Sequence, residues 1–432
     1  MANLVVYTSI STIEFSVDGD ELTTSEFLLN FLGTFGNLDE EENTINLGLF
    51  QLQQSHKDRL QTIVQHYSKK VPRVNQLESF FKKIPNGSHC LVYPKVEQPF
   101  SVSLQTIALL RFLDSGLSME EAYRQAKDEW AWIENTFGPL IGSYQISPIS
   151  SEKRYYAGPR QKSDRTCRYC GRTTATGASF DQEAHTVPES IGNKVYFTHD
   201  ECDTCNAQFS KTIDLDFFEY FKIYRVPFNG RGKHGVPTLK FEDGAEIRNV
   251  AGMPTIQSQD FSEIIPGEKY HLQLKNYSTL NKSNVYRQLA KFALGLANEE
   301  DVQFFSQTAN WILNPKNDGT VWTVPRVMAH VLNPYQEQPK ITLYRRKNEN
   351  AEFPFLFAEV RIAQILLVFI VPFSSKDNVD FSVKANFDNF WKKCQHYQML
   401  KSWTELDLSL DKALKFNFSI NLEKRNMPDA ES

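Results

Sequence analysis

No stretch of this 432-residue chain stays apolar long enough to cross a bilayer. The longest apolar run, Ile362 to Phe373, is interrupted by Gln364; its β-branched residues and closing Pro372 predict a buried strand. The start, MANLVVYTSISTIEF, lacks a basic region followed by a long apolar core, so no secretory leader is expected. An excess of positive charge is also missing: 47 Lys and Arg against 52 Asp and Glu give a net charge of −5. A uniformly polyanion-binding surface is thereby disfavoured, and any such contact must come from a local basic patch. Cysteine is scarce, with six residues, and four of them fall in two Cys-x-x-Cys pairs. Disulfide-stapled secreted domains spread their cysteines more evenly over shorter chains, so a reducing cytoplasm is expected. Internal repeats are not visible.

What is present is ample material for cores: 41% hydrophobic residues, including 32 Phe. The length suggests roughly two to three domains. Expected boundaries give an N-terminal mixed domain over 1–145, a basic linker and central module over 146–225, and a C-terminal domain over 226–432. In the first, LVVYTS and TIEFSV are strand-like, and Leu52, Leu60, Ile63, Val64 and Tyr67 recur at helical spacing within 50–70. A helix is expected over 103–113, and another starts at Ser118, where Ser118 and Glu121 form a capping-box pattern. The surroundings of DSGLSMEEA faintly resemble a helix-turn-helix; two packed helices joined at Gly116 is the plainer reading. Residues 143–165 read as an aperiodic linker carrying Lys153, Arg154, Arg160, Lys162 and Arg165. With Arg168 and Arg172 these suggest an arm that contacts phosphates. A Pro- and Gly-rich stretch over 227–235 holds Arg231, Lys233 and His234, a second candidate phosphate contact.

Beyond it, strands are expected at TLKFED, KYHLQLK, TVWTVP, KITLYRR, FPFLFAEV and ILLVFIV. Helices are expected from Ser283, burying Val285, Leu289, Phe292 and Leu296, and over 387–403. The fold class is therefore α+β, and the tail over 424–432 is expected to be disordered.

The strongest chemical signal is CRYC at Cys167–Cys170 and CDTC at Cys202–Cys205. Two thiol pairs a few tens of residues apart suit one tetrahedral zinc ion (Zn2+), and Gly171 helps the first turn close. A site with four thiolates has no open coordination position, so its role is structural. Chemistry must then come from the segment it frames. There SFDQEAHTV and KVYFT are extended in character, and Asn206, Phe209, Ile213, Phe217 and Phe221 recur at helical spacing. The module reads as strand, loop, strand, helix.

Taken singly, His185 could be a hydrogen-bonded structural residue, Asn193 could occupy a left-handed turn, and Asn206 could cap a helix. In their order, Cys167, Cys170, His185, Pro188, Gly192, Asn193, Cys202, Cys205 and Asn206 resemble the HNH endonuclease family. These are the ββα-metal nucleases, here of the zinc-stapled bacterial branch. The resemblance implies that His185 is the general base that deprotonates an attacking water, a role suited to imidazole, whose unperturbed pKa lies near neutrality. It implies that Asn193 braces the loop, and that Asn206 ligates a catalytic Mg2+ or Mn2+ through its amide oxygen.

The implied reaction is hydrolysis of phosphodiester bonds, with DNA as partner and RNA left open. The family often has Asp, Glu or His directly before the base, as a second metal ligand. Ala184 stands there, so Glu183 is the expected substitute, with His199, Asp200 and Asp203 as other candidates. The alternative is a catalytically degenerate, zinc-stabilised module that binds nucleic acid or a partner protein. The large flanking regions resemble those of restriction and anti-phage defence nucleases, which implies a homo-oligomer or a defence-system partner; the short apolar runs leave no membrane partner expected.

Overall fold

The computed structural model describes residues 2–17, 20–39, 44–46, 48–70, 74–94, 100–149, 152–226, 228–231, 235–258, 269–315, 322–410 and 412–423. Lys233, His234 and the tail over 424–432 lie outside the described residues. The fold is α+β, in two compact units, Met1–Gly138 and Pro139–Ser432.

The first unit is built on an antiparallel sheet. Strands β1 (Ala2–Thr8) and β2 (Thr12–Val17) are followed by helix α1 (Glu21–Phe35), β3 (Leu49–Gln51), α2 (Gln54–Tyr67) and α3 (Asn75–Lys83). Strand β4 (His89–Pro94) and helix α4 (Phe100–Asp114) complete it, with sheet order β2-β1-β4-β3. The period-two alternation of β1 divides its side chains between two apolar layers. Leu4 and Val6 join Phe27, Phe31, Leu60 and Phe81 of α1 to α3, whereas Val5 and Tyr7 meet Leu110 of α4. Helix α5 (Met119–Ser143) is capped as the sequence predicts: Ser118 Oγ accepts from the Glu121 N–H at 3.3 Å.

The expected linker is the first correction. YQISPI forms β5 (Tyr144–Ile149), paired antiparallel to a long later strand from Tyr144↔Arg346 to Ile149↔Ile341. YYA forms β6 (Tyr155–Ala157). Tyr and Ile supply β-formers inside a Ser- and Pro-rich run, and Pro148 is tolerated because β5 pairs along one edge only. Next come β7 (Ala184–His185), β8 (Tyr196–Thr198), α6 (Asp203–Ser210) and α7 (Ile213–Arg225). The single helix expected after Cys202 is thus two, broken at Thr212 (φ −127°, ψ −92°), whose hydroxyl donates to the Gln208 carbonyl at 2.9 Å. The apolar spacing survives the break, since Phe209, Ile213, Phe217 and Phe221 are all fully buried.

Strand β9 (Lys269–Asn281) leads into α8 (Lys282–Leu296), which Asn281 caps by accepting from the Ser283 N–H at 3.0 Å. Val285, Leu289, Phe292 and Leu296 are buried as expected, yet so is every residue from Ser283 to Leu296. The helix therefore runs through the interior instead of lying on a surface. Strand β10 (Val327–Arg346) pairs with β11 (Leu356–Ile370) along one edge, and with β5 and Thr404–Leu406 along the other. The two strands expected at FPFLFAEV and ILLVFIV are one, continuous through Ala363 at φ 53°, and it holds most of the longest apolar run, from Ile362 to Ile370, largely buried.

TVWTVP is not a strand over its described residues. Trp322 instead packs on Phe373 at 5.0 Å, and Val324 is buried. The helix expected over 387–403 comprises Lys384–Lys393 and a single turn at Gln395–Gln398. Trp391, Tyr397 and Trp403 form one aromatic cluster.

One face of β10 and β11 (Ile341, Leu343, Val360, Ile362) joins Val285, Leu289 and Phe292 of α8 and Tyr169, Phe209 and Phe217 in a single core. Residues on both sides of the boundary expected at 225/226 share that core.

Candidate metal centre and active site

The four cysteines converge. All four Sγ atoms lie within 4.8 Å of one another, with Cys167 to Cys205 at 3.8 Å and Cys170 to Cys202 at 3.7 Å. A tetrahedron with Zn–S bonds of about 2.3 Å has edges of about 3.8 Å, so the donor set fits zinc. Gly171 (φ 69°) closes the first turn, its N–H donating to the Cys167 carbonyl at 2.8 Å. Two donors lie on the sulfurs: the Cys202 N–H on Cys167 Sγ at 3.5 Å and Arg172 Nε on Cys170 Sγ at 3.4 Å. Both stabilise thiolate.

The order of strand, loop, strand and then helix is as expected, but the strand expected at SFDQEAHTV is reduced to Ala184–His185 and the helix begins at Asp203, within the second thiol pair. Strand β8 is central, parallel to β6 and antiparallel to β7, with Phe197 opposite His185 and Thr198 opposite Ala184. Asn193 is fully buried and holds the loop closed. Its Nδ2 donates to the carbonyls of Val187 (2.6 Å) and Tyr196 (3.0 Å), and its Oδ1 accepts from the N–H groups of Val195 (3.0 Å) and Tyr196 (2.9 Å). Gly192 (φ 99°) takes the left-handed position that Asn193 could have filled. The side chain thus ties the residues just after His185 to β8. Asn193→Ala strands the Val187 carbonyl and two N–H groups, and is expected to cost about 2–5 kcal/mol of stability, read by urea denaturation. A variant within experimental error of wild type would contradict this.

On the face of the sheet that carries His185, rings stack. His185 lies 4.6 Å from Phe197, Phe197 stacks on Tyr156 at 5.1 Å, and Tyr156 stacks on His199 at 4.8 Å. Tyr156 donates its hydroxyl to Glu183 Oε1 at 2.7 Å, and Arg154 reaches the same oxygen at 3.5 Å while lying over the Phe197 ring. Glu183 therefore shares the His185 face, with its carboxylate already paired. Ala184 is buried on the opposite face. Burial, with Arg165 nearby, holds the His199 ring below its usual pKa. The shift favours the neutral ring, the form that can ligate a metal.

The other two substitutes are committed elsewhere. Asp200 is buried in a bidentate pair with Arg168 (2.7 and 2.8 Å) and accepts from Thr198 Oγ1 at 2.5 Å. Asp203, in the first turn of α6, accepts from the N–H groups of Asp181 (3.1 Å) and Gln182 (2.9 Å). These bonds, with one from Ser179, hold its carboxyl below the usual range despite partial burial, and they fix the approach to β7. Asn206, one turn further along α6, sets its Nδ2 3.5 Å from Gln182 Oε1, beside the residues that lead to His185. Among the described residues, the four cysteines are the one group of three or more His, Cys, Asp or Glu side chains close enough to share an ion.

The basic arm is divided between interior and surface. Arg165 and Arg168 are buried; Arg165 donates to the carbonyls of Pro159 and Arg160, and Arg172 is on a sulfur. Lys162 pairs with Asp181 at 2.5 Å. Lys153, Arg154 and Arg160 are exposed for other contacts, as is Arg231. Sequence spacing did not reveal the Tyr156–Glu183 bond or the Arg168–Asp200 pair, because their partners lie 27 and 32 residues apart on separate elements.

Residues 167–222 match the family described as HNH endonuclease. Comparisons with curated proteins and with solved structures gave no match.

Proposed function

We propose, from the HNH endonuclease module at residues 167–222 and its four-cysteine zinc cluster, that this chain is a metal-dependent endonuclease that hydrolyses phosphodiester bonds of DNA. The observation that carries the proposal is the pinning of the loop after His185 by all four bonds of Asn193, inside a segment clamped by thiols at both ends. His185 takes the proton of the attacking water. Asn193 fixes the backbone from which the ring projects. The amide oxygen of Asn206, with Glu183 or His199, holds the catalytic ion. Mg2+ or Mn2+ held there would supply the positive charge that offsets the charge developing on the phosphate. Arg154, Lys153 and Arg160 supply phosphate contacts. The flanking regions serve targeting or assembly, including a homo-oligomer or a defence-system partner, in a cytoplasmic restriction or anti-phage role.

Supercoiled plasmid is expected to be nicked or linearised on adding Mg2+ or Mn2+ to zinc-loaded protein, leaving ends that DNA ligase rejoins. Because defence nucleases can await a trigger, toxicity on expression in cells is compared in parallel for wild type and His185→Ala. Equal toxicity of the two, together with no plasmid cleavage by wild type, would sink the nuclease proposal.

That outcome belongs to a second reading, a zinc-stabilised binding module that has lost catalysis. The pairing of Glu183 with Tyr156 and Arg154 favours it, because the expected second ligand is occupied. It predicts DNA binding unaffected by His185→Ala.

A further inference from the structure

Helix α8 lies some sixty residues beyond the matched segment in sequence, yet it forms the floor under the proposed base. Lys291 Nζ donates to the backbone carbonyl of His185 at 3.1 Å. The same amine pairs with Glu201 Oε2 at 3.2 Å, with side-chain exposures of 1% and 0%, and lies 5.1 Å over the Phe209 ring. Glu201 precedes Cys202, so one buried cation joins the thiol clamp to the strand that ends in His185. The contact is fixed at three further points. Tyr169 Oη, between the first two cysteines, donates to the Lys291 carbonyl at 3.2 Å. Arg168 donates to the carbonyls of Leu294 and Ala297 at the end of the helix. Gly295 packs so closely on Thr186, the residue after His185, that a methyl built there would collide with Thr186 Cγ2.

Burying a Lys–Glu pair is costly, and stability alone does not call for one, since apolar residues of similar volume commonly do as well. A polar group is needed here because the His185 carbonyl, at the end of a two-residue strand, faces the interior and requires a donor.

We propose that Lys291 is a positioning residue for His185, and that α8 is an integral part of the catalytic unit. This rests on His185 being the base. Lys291→Met alone would leave Glu201 buried without its counter-charge and can fail to fold, so the test is the double variant Lys291→Met/Glu201→Gln. Zinc content is measured as a control. With zinc retained, kcat is expected to fall roughly tenfold to a hundredfold at unchanged KM, the scale of a displaced catalytic group. The 13Cε1–1Hε1 ring signal of His185, assigned by its disappearance in His185→Ala, is expected to shift in the full-length protein. Gly295→Ala, which must move Thr186, is expected to shift the same signal and serves if the double variant does not fold. An unmoved ring signal, or a wild-type kcat in a zinc-loaded variant, overturns the proposal. Absence of wild-type cleavage is a separate failure, of the base assignment, and the ring signal then decides the placement by itself.

Discussion

Cys205→Ser is expected to abolish zinc binding and, with it, both the fold of the module and all cleavage. The cluster holds only what its four sulfurs hold, and Cys205 Sγ supplies one edge of the tetrahedron at 3.8 Å from Cys167. Structural zinc binds peptides with about 10–16 kcal/mol of apparent free energy, comparable to the whole stability of a domain. Between the two pairs the chain has little regular structure of its own: a two-residue strand, a three-residue strand and single turns. Such elements do not persist without an external clamp. Zinc content by mass spectrometry and thermal melting check the expectation. A variant with wild-type melting temperature and cleavage would show that the thiols are dispensable. Prolonged treatment with a strong zinc chelator is expected to act in the same direction.

The second large effect is His185→Ala, expected to lower turnover by roughly 10²–10⁴, the usual contribution of a positioned acid or base. In contrast to Cys205→Ser, zinc content and melting temperature should barely change. The ring is partly exposed and rests on Phe197, while the strand that carries it is held through backbone pairing to Phe197 and Thr198. Added imidazole should restore part of the rate. A His185→Ala protein that cleaves within threefold of wild type would remove His185 from the chemistry. The pair of variants separates frame from base, one losing fold and activity together and the other activity alone.

The site was legible in the sequence wherever its geometry is local. Cys-x-x-Cys spacing, a His at a strand end and an Asn after a Gly are set within a dozen residues, and the structure brings the four sulfurs together and gives Asn193 four backbone bonds. What depends on distant partners was not legible. Asp200 looks like a candidate metal ligand until Arg168 is found against it, and Glu183 looks free until Tyr156 and Arg154 close on it. Lys291 has no signal at all in its own neighbourhood: Leu289 and Phe292 beside it describe an ordinary amphipathic helix, and the carbonyl it serves lies 106 residues earlier.

The same distinction holds for the fold. The apolar period of 203–221 survives a helix break, because burial constrains side chains more than it constrains the axis. The strands of the presumed linker escaped notice because three to six residues among Ser and Pro carry too short a pattern to read.

The core that runs from Tyr169 and Phe217 through α8 to β10 and β11 also bears on where such a chain can be divided. A zinc-clamped segment of this size can ordinarily hold its own fold once the metal is bound. Here its underside is formed by residues that arrive much later in translation, so the segment released by the ribosome has no completed interior until the C-terminal strands follow. The two therefore complete one interior, and a cut that leaves that interior whole falls upstream of β5, not after α7.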